Sequence, residues 1–152
     1  MINILFVCTG DTCRSTMASA IAKQRARERG LTKFSFSSAG LFVGKETNIN
    51  ENARKTLKRM NVKIPRHKAT QLTYDIIKKY RYCLTMTVEQ KQTILNRFND
   101  LTNVFTFGEI VGGKDILDPY GKGEAEYYST ALVLDEYIDK LLNKLGGENI
   151  WK

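Results

Sequence analysis

One histidine, two prolines and three cysteines are all that this chain of 152 residues holds of those types, and each shortage closes a route. Cys8, Cys13 and Cys83 are odd in number and, with His67 the sole histidine, fit no metal-ligand spacing. That argues against a zinc site and against a disulfide framework. They read as thiols in a reducing compartment. No segment approaches the ~20 apolar residues of a membrane-spanning helix, and no basic region precedes the short apolar run at the start. A cytoplasmic protein with no membrane attachment is expected. There is no internal repeat, low-complexity tract or linker, and 152 residues at 42% hydrophobic content suit one filled core better than two. A single domain over residues 1–152 follows.

Acidic residues are scarce in one stretch. Residues 51–81 contain ten Lys or Arg against Glu51 and Asp75, and the other 14 basic and 14 acidic residues cancel, so this segment carries the whole net charge of +8. It lacks the interleaved aromatics on which single-stranded nucleic acid stacks. A solvated face is the first reading, attraction of acidic or phosphorylated proteins the second, and nucleic acid is not favoured. Nothing in the sequence sets an oligomeric state.

Periodicity supplies the elements. Residues 2–7 form an apolar run of strand length, and residues 34–39 alternate with one polar face. Between them residues 14–29 read as a helix stopped by Gly30. Asn50 is placed to cap a second helix through about Met60, with Ala53, Leu57 and Met60 on one face, and Thr73 to cap a short third. Residues 80–86 predict a strand, 87–98 a helix and 104–107 a short strand. A last helix over 125–145 directs Leu132, Leu134, Tyr137, Ile138, Leu141, Leu142 and Leu145 to the core. Alternating strands and helices imply a parallel sheet with right-handed crossovers. Residues 40–49 and the Gly-rich stretch 112–123 fit no element, and loops of that length are often functional.

The most informative segment lies where the first strand gives way to the first helix. Cys8 is followed by five residues, then Arg14 and Ser15. Five residues can curl their N–H groups around three phosphoryl oxygens while Arg14 closes over the rim as a bidentate clamp. The helix beginning near Arg14 points its positive end into the same ring. All three influences favour a thiolate at Cys8, which would be a nucleophile beneath a bound phosphate. A cysteine after a hydrophobic strand is otherwise a small core residue; its place at a strand end that opens a helix, where α/β proteins bind phosphates, favours the catalytic reading. Transfer to a thiolate also requires a proton donor for the leaving group, later a base for water. Asp118, with Pro119 fixing its backbone in extended geometry, is the best candidate.

These segments together resemble the low-molecular-weight protein tyrosine phosphatases. Residues 7–15, V-C-T-G-D-T-C-R-S, match that family's phosphate loop, Ser38-Ala39-Gly40 its second strand end, His67-Lys68-Ala69 a turn after a helix, and Asp118-Pro119-Tyr120 its acid loop. The landmarks fall in order and span nearly the whole chain. The resemblance implies an α/β three-layer sandwich, a four-stranded parallel sheet flanked by helices, with no metal or other cofactor and with phosphorylated proteins as substrates. It assigns Cys8 as nucleophile and Arg14 as the clamp on the equatorial oxygens. Asp118 becomes the acid and then the base, and Ser15 the group that stabilises the departing thiolate. Thr9, Gly10, Asp11, Thr12 and Cys13 complete the phosphate-binding loop with Arg14 and Ser15. Ser38 and His67 support it, and Leu41, Phe42 and Tyr120 are expected to wall the pocket. Cys13 would be a partner for a reversible bridge to Cys8, with simple packing an equal reading. Cys83, inside a strand, should be inert.

Two positions depart from the family pattern. Asp11 stands where the family usually has Asn, and an anionic side chain there opposes a thiolate unless a proton or a partner neutralises it. Thr16 replaces a usual Pro at the helix start. Thr12 bears on substrate: tyrosine phosphatases tend to place a larger aliphatic side chain there against a phenyl ring, and the phosphoarginine-specific branch carries Thr. A short polar side chain gives up apolar contact and offers a hydroxyl, and Asp118 could pair with a guanidinium before protonating it. Phosphoarginine is favoured, with protein-tyrosine phosphatase activity by the same mechanism as the alternative. Arsenate reduction would need downstream relay thiols, for which Cys83 is poorly placed. A non-catalytic phosphate- or nucleic-acid-binding module would instead survive loss of Cys8.

Overall fold

The computed structural model describes residues 1–147. The order of elements is β1 (Ile2–Cys8), α1 (Arg14–Glu28), β2 (Phe34–Gly40), α2 (Glu51–Arg59), α3 (Tyr74–Lys79), β3 (Tyr82–Thr85), α4 (Val88–Arg97), β4 (Val104–Thr106), α5 (Phe107–Val111) and α6 (Glu124–Leu145). The four strands pair in parallel in the order β2-β1-β3-β4. The chain thus leaves β1 toward one edge and returns on its other side, so β1 stands at the topological switch point where ligands bind beyond the strand C-termini.

Side-chain alternation along β1 divides the core in two. Ile4, Phe6 and Cys8 face a large cluster built with Met17, Ile21, Leu57, Phe107, Leu134 and Ile138. Leu5 and Val7 face a smaller one with Leu72, Ile77, Cys83 and Ile94. Helices therefore cover both faces, α1, α2, α5 and α6 on one and α3 and α4 on the other. This is why β1 reads as a mostly apolar run, interrupted only by Asn3: a strand buried on both faces has no polar side.

Side chains close the starts of three helices. The Asn50 side chain accepts from the N–H groups of Asn52 and Ala53, and that of Thr73 from Ile76 N–H. Thr87 and Gln90 form a reciprocal capping box at α4. Gly30, at φ 69°, ends the turn after α1 in the left-handed region that glycine adopts without strain.

Three expectations fail locally. Phe107 opens α5 instead of ending β4, because the Thr106 hydroxyl caps a short helix by accepting from Glu109 N–H. The strand read over 80–86 narrows to Tyr82–Thr85. On α6, Leu132 is exposed, and Tyr127 and Ala131 are buried in its place; the core stripe comprises 127, 131, 134, 137, 138, 141, 142 and 145, one face of the helix.

The Gly-rich stretch 112–123 is anchored at its start. The Tyr137 hydroxyl on α6 accepts from Lys114 N–H and donates to Lys114 O, Asp115 accepts from Val88 N–H, and Ile116 N–H donates to Met86 O. Asp118 lies two residues beyond the buried Ile116.

Candidate active site

Residues 9–13 bridge β1 and α1, and every neighbouring element ties them down. Phe42 N–H donates to Thr9 O, Leu41 N–H to Cys8 O and Asn50 N–H to Thr12 O. Gln90 Nε2 donates to Thr9 Oγ1 at 3.2 Å. Gly40 pairs with Cys8 across the sheet, and a Cβ there would stand 2.9 Å from both Gly10 C and Thr9 O. The loop can lie on β2 only because position 40 has no side chain.

Asp11 carries the bend, at φ 57°, a left-handed conformation that Asp tolerates better than most residues. Its fully buried side chain is a hub. Ser15 Oγ donates to its Oδ1 at 2.7 Å and Thr70 N–H to its Oδ2 at 2.9 Å. The Thr16 hydroxyl donates to the Asp11 carbonyl at 2.9 Å, so the residue in place of a helix-start proline contributes a bond that proline could not. His67 Nε2 also meets that carbonyl; since a carbonyl only accepts, Nε2 carries the hydrogen. His67 thus lies behind the loop and away from the cavity.

In front of the loop is a cavity of about 210 Å³ lined by Cys8, Thr9, Gly10, Thr12, Cys13, Arg14, Asp118 and Tyr120. Cys8 Sγ is 2.9 Å from Ser15 Oγ. Arg14 is buried; its Nη1 donates to Ile116 O at 2.8 Å and its Nη2 is 3.6 Å from Asp118 Oδ2. Its Nε is buried with no acceptor among the described residues, a donor suited to a phosphoryl oxygen. The Asp118 side chain is 49% exposed, and its Oδ1 accepts from Tyr120 N–H at 3.0 Å, a turn that holds the carboxylate toward the cavity mouth. A thiol at the floor, a guanidinium at the side and a carboxylate at the rim therefore surround one small space. A larger cleft of about 560 Å³ lies elsewhere, lined by Lys23, Arg27, Lys63 and Arg66; it holds cations but no nucleophile or acid.

Of the residues singled out in the sequence, Leu41 and Phe42 lie off the cavity wall. Leu41 is buried in the smaller core cluster beside Leu72, because β2 ends with that side directed under the sheet. Phe42 is 55% exposed, with the Arg97 guanidinium 5.0 Å from its ring centre. Ser38 sits on β2 opposite Phe6 and shares a surface pocket with His67 and Thr16. Cys13 is buried, and its thiol lies 3.4 Å from the Tyr127 hydroxyl. Burial pushes the Cys13 thiol up, opposed by its contacts with Tyr127 and Thr12. Burial likewise pushes Tyr127 up, reinforced by Cys13. Cys83 is pushed up to about 12 by burial alone.

Gln90, Tyr127 and Ile116 were missed. Residues 87–98 read as a helix in the sequence, but nothing there shows that Gln90's amide, bonded to Met86 and Thr87 N–H through its oxygen, extends its nitrogen to Thr9. Tyr127 lies 114 residues from Cys13 in sequence, and no local pattern announces that contact.

The model of the low molecular weight phosphotyrosine protein phosphatase family matches residues 3–150. A protein-arginine-phosphatase of Geobacillus stearothermophilus is 36% identical over 149 residues, covering 95% of this chain and 97% of its own. The crystal structure of a low molecular weight protein tyrosine phosphatase from T. tengcongensis superposes with a TM-score of 0.89 at 33% identity, over 95% of this chain and 99% of that one. The YwlE arginine phosphatase, in a mutant form bearing a phosphorylated active-site serine, superposes with a TM-score of 0.87 at 31% identity, over 97% and 98%.

Proposed function

This chain belongs to the low molecular weight phosphotyrosine protein phosphatase family, and from that membership we propose that it removes phosphate from phosphoarginine side chains of cytoplasmic proteins through a phosphocysteine at position 8. The observation that carries the reading is the convergence of Cys8, Arg14 and Asp118 on one cavity whose wall includes Thr12. Cys8 Sγ attacks phosphorus in line with the leaving group. Arg14 binds equatorial oxygens through Nε and Nη2, its Nη1 being held by Ile116 O, and the loop N–H groups and the α1 N-terminus take the remaining charge. Asp118 gives its proton to the departing nitrogen, and the P–N bond breaks as the S–P bond forms. Asp118 then takes a proton from water, the resulting oxygen attacks the phosphocysteine, and the sulfur leaves as thiolate beside Ser15.

Two features favour a guanidinium over a phenol. Thr12 lines the cavity with a short side chain that carries a hydroxyl and a single methyl group, and the half-exposed Asp118 carboxyl group, entering the step protonated, can donate to the departing guanidine nitrogen while its second oxygen accepts from a neighbouring N–H. The relatives named protein-arginine-phosphatase, 34% and 36% identical, support the same choice. Turnover of phosphoarginine and phosphotyrosine peptides, measured side by side, tests it. The wild type should prefer phosphoarginine in kcat/KM, and Thr12→Ile should move the ratio toward phosphotyrosine by about tenfold, the scale of one lost or gained apolar contact. A wild type that prefers phosphotyrosine would reverse the assignment.

A further inference from the structure

Ser15 has one hydroxyl proton and two neighbours that compete for it. Its oxygen lies 2.9 Å from Cys8 Sγ and 2.7 Å from Asp11 Oδ1. An ionised carboxylate can only accept hydrogen bonds. When Asp11 is ionised, Ser15 must therefore donate to Asp11, and the remaining contact is satisfied only if the Cys8 thiol donates to the Ser15 oxygen. The chain of donors then runs from sulfur to serine to carboxylate. With a thiolate at Cys8, the 2.9 Å contact is a hydrogen bond only in the opposite direction: Ser15 donates to sulfur, and Asp11 donates to Ser15, which it does only when protonated.

We infer that Cys8 and Asp11 share one proton through the Ser15 hydroxyl, which makes Asp11 a positioning residue that sets how much of Cys8 is nucleophilic. The inference rests on Cys8 being the nucleophile. In the resting form the proton is on sulfur. On activation the S–H bond breaks as Ser15 Oγ takes that proton, and the former Ser15 O–H proton passes to Asp11 Oδ1. A thiolate and a carboxylic acid replace a thiol and a carboxylate, with no change in net charge.

The surroundings leave Asp11 this role and no obvious substitute for Ser15. Its side chain is fully buried, so water does not compete. From the 67–70 stretch, Thr70 N–H occupies Oδ2, and His67 Nε2, 3.8 Å from Oδ2, is directed at the Asp11 carbonyl. From α1, Thr16 Oγ1 is 3.5 Å from Oδ1 and makes its shorter bond to the carbonyl oxygen. Arg14, the remaining charged group of the loop, faces Ile116 O and Asp118 on the cavity side. An asparagine at position 11 would fit the same sites with the polarity fixed: its oxygen accepting from Thr70 N–H, its NH₂ donating to Ser15, and Ser15 free to donate to a thiolate. The aspartate converts a permanent arrangement into a reversible one.

Iodoacetamide alkylation of Cys8 at pH 6, followed by mass spectrometry, reads the thiolate without any phosphate substrate. Asp11→Asn should alkylate about tenfold faster than wild type, because the thiolate is the reactive form, and should gain thiolate absorbance in the ultraviolet. In a Ser15→Ala background the same substitution should change the rate less than twofold, because the relay is gone. An equal acceleration in both backgrounds would show charge acting through space and overturn the relay, as would no acceleration in either. A second measurement needs no altered position 11: the Raman difference between wild type and Cys8→Ala should contain an S–H band, and its absence overturns the resting state assigned here. Trapping of phosphocysteine in the wild type reads the proposed function separately, so failure of one leaves the other standing.

Discussion

Cys83 has no exposed surface, and its thiol is held at about 12 against an ordinary 9.0. The unfolded chain releases that proton from about pH 9 upward while the folded chain keeps it. Folded-state stability is therefore complete below pH 9 and falls as pH rises toward 12. At about pH 10.5 the loss amounts to roughly 2 kcal/mol. Cys83→Ala should remove this alkaline sensitivity, seen as urea midpoints at pH 8 and pH 10.5 that lie closer together than in the wild type. Cys13 and Tyr127 shift in the same direction and remain in both proteins, so the difference isolates Cys83. A wild-type gap no larger than the variant's would contradict the assignment. Its inertness was legible in the sequence from its place in a strand. The buried Tyr127 contact to Cys13 was not, because it depends on how α6 crosses the start of α1.

At the scale of elements, β2 and the phosphate loop meet with no room between them. Gly40→Ala would push a methyl group against Gly10 and Thr9 backbone at 2.9 Å, where no side chain can rotate away. A loss of about 1–3 kcal/mol is expected from overpacking of this kind, with a fall in kcat well beyond any change in KM, since displaced loop amides would no longer meet the transition state. Thermal unfolding together with steady-state kinetics checks both; a stable variant of normal kcat would show that the loop tolerates a shift. The sequence marked Ser38-Ala39-Gly40 as a landmark, and helix caps at Asn50 and Thr73 fixed two helix starts. The short α5 and the exposure of Leu132 escaped, because five-residue helices and the rotation of a long helix are decided by what packs against them.

For the whole molecule, the charge asymmetry lies on α2, α3 and the irregular stretch between them. Some of these cations are paired, Arg54 with Glu51 and Lys55 with Glu124, and Arg59 stacks on Tyr128 at 3.8 Å. Lys63 and Arg66 instead line the 560 Å³ cleft with Lys23 and Arg27. A field of this sign raises encounter rates with acidic phosphoproteins and is screened over about 8 Å at physiological salt. Raising salt from 50 to 500 mM should lower kcat/KM several-fold for a phosphopeptide with acidic flanks, leave kcat unchanged, and affect a neutral-flanked peptide little. Equal salt sensitivity for the two peptides would leave the basic face without a part in substrate capture.

The sequence by itself determined what is local: the order of the strands and of the longer helices, the caps at Asn50 and Thr73, the parallel sheet, and the place of Cys8, Arg14 and Ser15 on one short turn of chain between β1 and α1. It also singled out Asp118 as the expected acid through its resemblance to a known loop. The tertiary structure alone decided which groups reach one another across the chain. Ile116 O on Arg14, Gln90 on Thr9, Thr70 and His67 around Asp11, and the exclusion of Leu41 from the cavity all depend on long-range packing. The physical reason is one of range: propensity and spacing act over a few residues, whereas hydrogen-bond partners buried in a core are chosen by the geometry of every layer around them.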